Sequence, residues 1–471
     1  MSRLIVVSNR VNLPREAGGG AVGGLAAAIG AALREHHGVW FGWSGEITPQ
    51  YTGQIAMERV GDVTVAKVDL EEQDVDEYYN GYANKTLWPL FHGRIDLTAY
   101  ERSFDAGYAR VNRRFAEALA PLIGPDDLIW IHDYHLAPLA RELRALGVKN
   151  RIGFFLHIPW PARQLLTTLP GHRKLVEALF HHDLIGFQTD DHMTAFTDYL
   201  THELGLDVAL GGGEVEAFGR RSRLGVFPIG IESKAFSDGA RSPTGEESYQ
   251  RMRESQAGRK MIVGVDRLDY SKGLEERFLA YEQFLIDQTA QREKVFLLQI
   301  ATVSRDSVEA YQDLRARLDA ISGRVNGTFG TLDWVPLRYV NSGYRQDELA
   351  GIYRASSVGL VTPLRDGMNL VAKEYVASQD PNDPGVLILS RFAGAASQMG
   401  SALIVNPYDR DEVAGAIQRA LGMGFAERRK RWEKLMETVT REDIGAWRER
   451  FVEALKAPLR PKPQLASNDA A

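Results

Sequence analysis

Six short apolar runs in this chain end in residues that can do chemistry. Leu4–Val7 runs into Arg10, Leu128–Ile131 into His132, Asp133 and His135, and Ile152–Leu156 into His157. Met261–Val265 runs into Arg267 and Lys272, Val295–Ile300 into Arg305, and Val358–Val361 into Arg365 and Asp366. One charged residue after an apolar run is ordinary surface. Six such exits carrying arginine, histidine or aspartate predict that at least three share one site. In open α/β sheets, ligands bind beyond the carboxyl ends of the strands, where the following helices aim their N-termini.

The residue types indicate what such a site binds. Arg267 and Lys272 share the loop "DRLDYSKGL", which closes on a glycine before a helical pattern. Two cations, with the N–H groups of the helix after "DGMN", suit a diphosphate. "GGGAVGGL" (Gly18–Leu25) adds a glycine loop that lets backbone approach a ligand. It is neither a Walker loop, lacking the Lys-Ser/Thr, nor a dinucleotide fingerprint, lacking the strand directly before it. Asp133, Asp366 and Glu374 are acceptors for sugar hydroxyls, with Glu374 placed about two turns into a helix starting near Met368. Trp40, Trp43, Tyr78, Tyr79 and Trp88 offer flat apolar faces. Arg10 and Arg305 could together hold a second phosphate. The expected cleft therefore takes one diphosphate-bearing and one phosphate-bearing ligand.

The elements that position these residues alternate. The apolar runs, together with "LIGF" (Leu184–Phe187), "VLIL" (Val386–Leu389) and "ALIV" (Ala402–Val405), are near-continuous in apolar residues, as parallel strands covered on both faces read. Helical patterns such as "GYARVNRRFAEALAPLI" and "LEERFLAYEQFLIDQ" lie between them. This is an α/β pattern in two blocks, 1–235 and 236–455, with a proline-rich tail at 456–471 that reads as disordered. The segment 50–73 reads as a β-hairpin excursion. The 471 residues are too many for one ordinary core. A net charge of -6, from 56 basic and 62 acidic residues, leaves no basic footprint for nucleic acid. With no cysteine, thiol catalysis, disulfides and iron–sulfur clusters are excluded. No apolar run reaches the roughly 18 residues of a membrane span, and no secretion signal opens the chain. A cytoplasmic enzyme is the expected class, with homo-oligomerisation left open.

Structural alternatives compete at several motifs. "HDYH" is chemically capable of binding a metal but has no third spaced ligand. "HHD" (His181–Asp183) reads as packing at a strand start. "DVDEYY" (Asp74–Tyr79) superficially matches an aspartyl-phosphatase motif, but no buried strand is evident before it in the sequence. Lys272, Arg305, Asp366 and Glu374 could each be solvated surface charges or helix caps.

The runs "VVSNR", "WFGWSGE", "DEYYNGYANKTLWPLFH", "IWIHDYHL", "GFFLHIPWP", "DRLDYSKGL", "TPLRDGMNLVAKEYVA" and "LIVNPYD" together resemble the trehalose-6-phosphate synthases, from about residue 2 to 455. These are retaining glycosyltransferases of family 20 with the GT-B architecture, two Rossmann-like domains facing across a cleft. The resemblance implies glucose transfer from UDP-glucose, or another nucleotide-glucose, to glucose 6-phosphate, without metal or other cofactor. It also implies that the last helix crosses back to the N-terminal domain. Arg10, Tyr79, Trp88, Asp133 and Arg305 match the family's acceptor site. Gly23, Gly24, Arg267 and Lys272 match its donor diphosphate contacts, although "PREAGGGAVGGL" departs from the family pattern. Tyr344 would sit by the nucleobase, Gly367, Met368 and Asn369 at the helix entry, and Leu370, Val371, Ala372, Lys373 and Glu374 along the nucleotide. Asp366 and His157 would grip the transferred glucose. The implied rivals are the same fold acting on another phosphorylated acceptor, such as glycerol 3-phosphate, a pyridoxal-phosphate phosphorylase, and a non-catalytic sugar-phosphate sensor.

Overall fold

The computed structural model describes residues 3–11, 38–208, 212–303 and 309–459. They build two sheets, each flanked by helices. The first has nine strands, in the order Ala56–Val60, Val63–Glu71, Val39–Thr48, Leu4–Arg10, Leu128–His132, Ile152–Phe155, Leu184–Phe187, Arg220–Val226 and Gly213–Ala217. Its seven inner strands are parallel, and each edge strand is the antiparallel arm of a hairpin. The second sheet has six parallel strands, in the order Leu337–Val340, Val295–Thr302, Lys260–Arg267, Val358–Val361, Val386–Ser390 and Leu403–Val405.

Every apolar run read as a strand contributes to a strand, and nearly all are buried on both faces; Leu403–Val405 at the sheet edge leaves Ile404 exposed. The pattern in Leu128–His132, Ile152–Phe155, Leu184–Phe187 and Val358–Val361 is buried at every position. The segment 50–73 does contain a hairpin, Ala56–Val60 with Val63–Glu71, but its second strand also pairs in parallel with Val39–Thr48 and belongs to the main sheet. That strand precedes Asp74–Tyr79, which corrects the expectation that no strand leads into this motif. The motif still does not form a phosphatase site. The chain continues into a π-helix, Val75–Leu87, and buried Asp74 is held by Arg110 and Arg114.

In each sheet the first strand is the switch point. Leu4–Arg10 has Val39–Thr48 on one side and Leu128–His132 on the other; Lys260–Arg267 has Val295–Thr302 and Val358–Val361. Crossovers leave in opposite directions there, opening a crevice at the strand end. Arg10 and Arg267 are the last residues of these two strands.

The chain crosses between the sheets twice, near Ile231 and near Ile444, where the Ile444 N–H donates to the Ile231 carbonyl at 3.3 Å. The last helix, Ile444–Lys456, then lies on the nine-stranded sheet. Phe451 stacks on Trp130 at 4.4 Å, and Trp447 sits 4.8 Å from the same ring. Gly153 and Gly186 make room: a Cβ at either would meet the Phe451 ring at 2.9 or 2.8 Å. Trp447 and Phe451 are fully buried, each stabilising the docking by about 2–3 kcal/mol.

Candidate active site

The exit of Lys260–Arg267 is shaped by buried polar groups. Asp269 accepts from the Ser271 N–H at 2.9 Å and its hydroxyl at 2.8 Å, fixing the turn that carries Lys272. Lys272 Nζ donates to Asp366 Oδ2 at 2.5 Å, and Asn369 Nδ2 donates to the same oxygen at 3.1 Å. Burial alone would raise the Asp366 carboxyl; the Lys272 ammonium outweighs it and holds the group below its ordinary value. Asn369 is left-handed, with φ of 70°, and starts the helix Leu370–Ser378, two residues later than the sequence suggested. Glu374 is therefore about one turn in, not two.

Sequence reasoning missed Arg277. Its fully buried guanidinium donates to Asp266 at 2.5 Å, Gln299 at 2.8 Å and Thr362 at 2.9 Å, and more weakly to the Lys272 carbonyl at 3.4 Å. One side chain thus ties together the strand exits that carry Arg267, Lys272 and Asp366. The signal was present: Arg277 shares the apolar stripe of Leu274, Tyr281 and Phe284, where a cation needs a partner.

On the other half, Arg10 lies over the Trp43 ring at 5.2 Å, Trp43 meets Tyr79 at 5.6 Å, and Tyr79 stacks on His135 at 6.0 Å. Asp133, with φ of 75°, accepts the His157 N–H at 3.1 Å. His157 and His132 share a ring-to-ring hydrogen bond of 2.9 Å. Burial lowers the His157 imidazole to about 3 and holds His132 well below its ordinary value, so both are neutral. His181–Asp183 is structural, as expected: His182 is buried against the Leu179 carbonyl, and Asp183 accepts from Arg144 and the Ile152 N–H.

The halves touch at the site. Arg267 lies over the Trp88 ring at 5.6 Å. Trp88 meets buried His92 ring to ring at 4.1 Å, tilted by 34°, and burial lowers that imidazole to about 4. At Gly367 the approach is backbone to backbone: a Cβ there would sit 1.9 Å from the His157 carbonyl oxygen. Beside this junction opens a cavity of about 350 Å³, lined by Arg267, Tyr344, Tyr353, Val371, Glu374 and Ile231 among others. Its size and mixed lining suit a small-molecule ligand. Burial pushes the Glu374 carboxyl up to about 7.

The match to the glycosyltransferase family 20 model runs over residues 3–457. The chain belongs to glycosyltransferase family 20. It is 50% identical over 459 residues to trehalose-6-phosphate synthase of Sinorhizobium fredii, covering 97% of this chain and 99% of that one. Among solved structures, it is similar to a UDP-forming α,α-trehalose-phosphate synthase from Burkholderia xenovorans in complex with glucose 6-phosphate (TM-score 0.93, 50% identity, covering 97% of this chain and 100% of that one). It is also similar to the E. coli protein bound with UDP-2-fluoro glucose (TM-score 0.92, 48% identity, covering 98% and 100%). The fold is the GT-B architecture of this family.

Within that family frame, the structure sorts the residues expected along the nucleotide. Val371 and Glu374 line the cavity, while Met368 and Ala372 are buried in the core. The Lys373 side chain goes elsewhere: Nζ donates to the Ile229 carbonyl at 2.7 Å and to Gln398 at 2.8 Å, beside the first crossover. Gly23, Gly24 and Arg305, like the glycine loop and the tail beyond 459, lie outside the described residues. Among the described residues, no group of three or more His, Cys, Asp or Glu could hold a metal ion, and no helix is long and apolar enough to cross a membrane.

Proposed function

We propose that the cleft moves glucose from UDP-glucose to glucose 6-phosphate with retention, giving α,α-trehalose 6-phosphate and UDP. The observation that carries this is Arg267 over Trp88: the cation at one sheet's switch point rests on an aromatic ring of the other half. A diphosphate held by Arg267 and Lys272 therefore leaves its sugar facing the N-terminal half. The cavity of Tyr344, Val371 and Glu374 takes the nucleoside, with Tyr344 by the base and Glu374 on the ribose hydroxyls. The helix entry from Gly367 to Leu370, with Gly23 and Gly24, completes the phosphate contacts. Arg10, Tyr79, Trp88, Asp133 and Arg305 hold the acceptor, the two arginines on its phosphate.

Transfer needs an electrostatic clamp more than a nucleophile. The bond from C1 to the diphosphate oxygen breaks, and its electron pair stays with UDP. Arg267 and Lys272 stabilise the charge that grows there. The anomeric hydroxyl of glucose 6-phosphate bonds to C1 on the same face, and its proton passes to the departing phosphate oxygen. Asp366 and His157 orient the transferred sugar. On the sequence reading, the enzyme is cytoplasmic and the two cations do the work without a cofactor. The test is an acceptor panel with UDP-glucose, the product's anomeric couplings being read by NMR. Glucose 6-phosphate should be consumed and a doubly α-linked, non-reducing product formed. Preference for glycerol 3-phosphate would overturn the acceptor assignment, and binding without turnover would favour a sensor.

A further inference from the structure

His132 has no part in the scheme above, yet its ring is hydrogen-bonded to the ring of His157. His132 ends Leu128–His132, and His157 lies just beyond the neighbouring strand Ile152–Phe155. His132 Nδ1 and His157 Nε2 are 2.9 Å apart. A single proton lies on that line, and its owner decides whether the nitrogen His157 has left, Nδ1, is a donor or an acceptor.

The surroundings of His132 identify the owner. The ring is completely buried, 4.6 Å from the Trp130 ring and flanked by Phe155 and by Trp447 of the returning helix. Its second nitrogen, Nε2, has no hydrogen-bond partner among the described residues of that wall. A neutral imidazole carries one N–H and one bare nitrogen. With the proton on Nε2, an N–H donor would be sealed among aromatic rings without an acceptor. With the proton on Nδ1, only a bare nitrogen is sealed there, and the N–H makes the 2.9 Å bond. Orphaned buried N–H groups are the rarer outcome in folded proteins. The low pKa values of both rings are consistent with two neutral partners.

We propose that His132 is a positioning residue: it donates Nδ1–H to His157 Nε2 and so holds the His157 proton on Nδ1. His157 is only half-buried, and its Nδ1 is not among the sealed, unpartnered atoms. The remaining ring nitrogen is thus open to a ligand. It is there a donor, able to bond a hydroxyl or ring oxygen of the transferred sugar; the reverse tautomer would offer only an acceptor. This rests on the reading of the cleft as the glucosyl-transfer site.

Two measurements test it. In full-length protein labelled with ¹⁵N-histidine and without ligand, long-range ¹H–¹⁵N spectra report each ring's tautomer. Signals are assigned by their loss in His132→Asn and His157→Gln. Both His132 and His157 should show the Nδ1–H pattern; an Nε2–H pattern for His157 would overturn the proposal. Kinetics then compare His132→Asn, whose amide N–H takes the place of Nδ1–H, with His132→Leu, of the same size and without a donor. The leucine variant should lose roughly tenfold in kcat with the KM for glucose 6-phosphate little changed, while asparagine restores most of it. Equal losses in both, or none in either, would overturn the positioning role. If neither variant folds, the wild-type spectrum still decides, with His157 assigned from the remaining variant. That spectrum needs no turnover, so failure of the tautomer is distinguishable from failure of the glucosyltransferase reading, which would show as no transfer by the wild-type enzyme.

Discussion

Gly367→Ala places a methyl group where the two halves meet. The new Cβ would lie 1.9 Å from the His157 carbonyl oxygen, 2.8 Å from its carbon and 3.0 Å from the Ile158 Cα. All three are backbone atoms at a strand exit, so no side chain can swing aside. Restoring ordinary contact requires the two exits to part by roughly 1.5 Å, and a misplacement of even about 1 Å costs on the order of a hundredfold in rate. Asp366 precedes Gly367 directly, and Lys272 is bonded to Asp366, so the displacement is felt at both the sugar and the diphosphate. The assay is kcat with saturating UDP-glucose and glucose 6-phosphate, beside UDP affinity by calorimetry and thermal unfolding. Gly400→Ala is the control, because a Cβ there meets nothing within 4 Å. The expected result is kcat down about a hundredfold in Gly367→Ala, a smaller loss of UDP affinity and an unchanged control. Full turnover with intact folding would refute the claim that the halves must close this tightly.

The same geometry sets four further expectations. Lys272→Met should lower kcat by about 10²–10³-fold, as measured by UDP release, because the charge developing on the diphosphate loses one of its two cations. Arg277→Lys should weaken UDP binding measured by calorimetry by roughly tenfold or more while leaving the KM for glucose 6-phosphate near the parent value, since one ammonium cannot replace the guanidinium's three-sided bonding. Glu374 has its pKa raised from 4.5 to about 7 by burial, so the folded chain keeps a proton that the unfolded chain has lost in that window, and stability falls as pH rises through it. Urea unfolding should then show Glu374→Gln gaining on the parent between pH 4.5 and 7, by up to about 3 kcal/mol; a pH-independent gap would contradict this. Gly230→Ala should destabilise the chain by about 1–3 kcal/mol in the same assay, because its Cβ would meet the Glu442 carbonyl oxygen at 2.1 Å where the two crossovers touch.

The sheets were legible in the sequence because parallel strands buried on both faces are written as unbroken apolar runs, and Leu128–Ile131 or Val358–Val361 can be little else. Val39–Thr48 and Val63–Glu71 were harder. Their charged and exposed residues interrupt the pattern, and their parallel pairing depends on neighbours far away in sequence. The strand exits were readable because Arg10, His157, Arg267, Lys272 and Asp366 each follow or end an apolar run, and the structure keeps them at or just beyond strand ends. The pairing of Trp88 with Arg267 was not readable, because it joins the two halves across space. Nor was the destination of Lys373. Its place in the nucleotide motif suggested a ligand, but the helix turns it towards the Ile229 carbonyl, where burial lowers its ammonium to about 7. Arg277 escaped notice, and His132 was named at its strand exit without a role, for the same reason: each bonds to a neighbour, and the neighbour belongs to another segment.

The central claim is that Arg267 and Lys272 carry the charge of a departing UDP only when glucose 6-phosphate fills the other half of the cleft. UDP release from UDP-glucose, with and without glucose 6-phosphate and in excess chelator, tests it most directly. The account predicts release that requires the acceptor, survives the chelator and yields one phosphorylated disaccharide for each UDP. Release abolished by the chelator, or equally fast without glucose 6-phosphate, would contradict it.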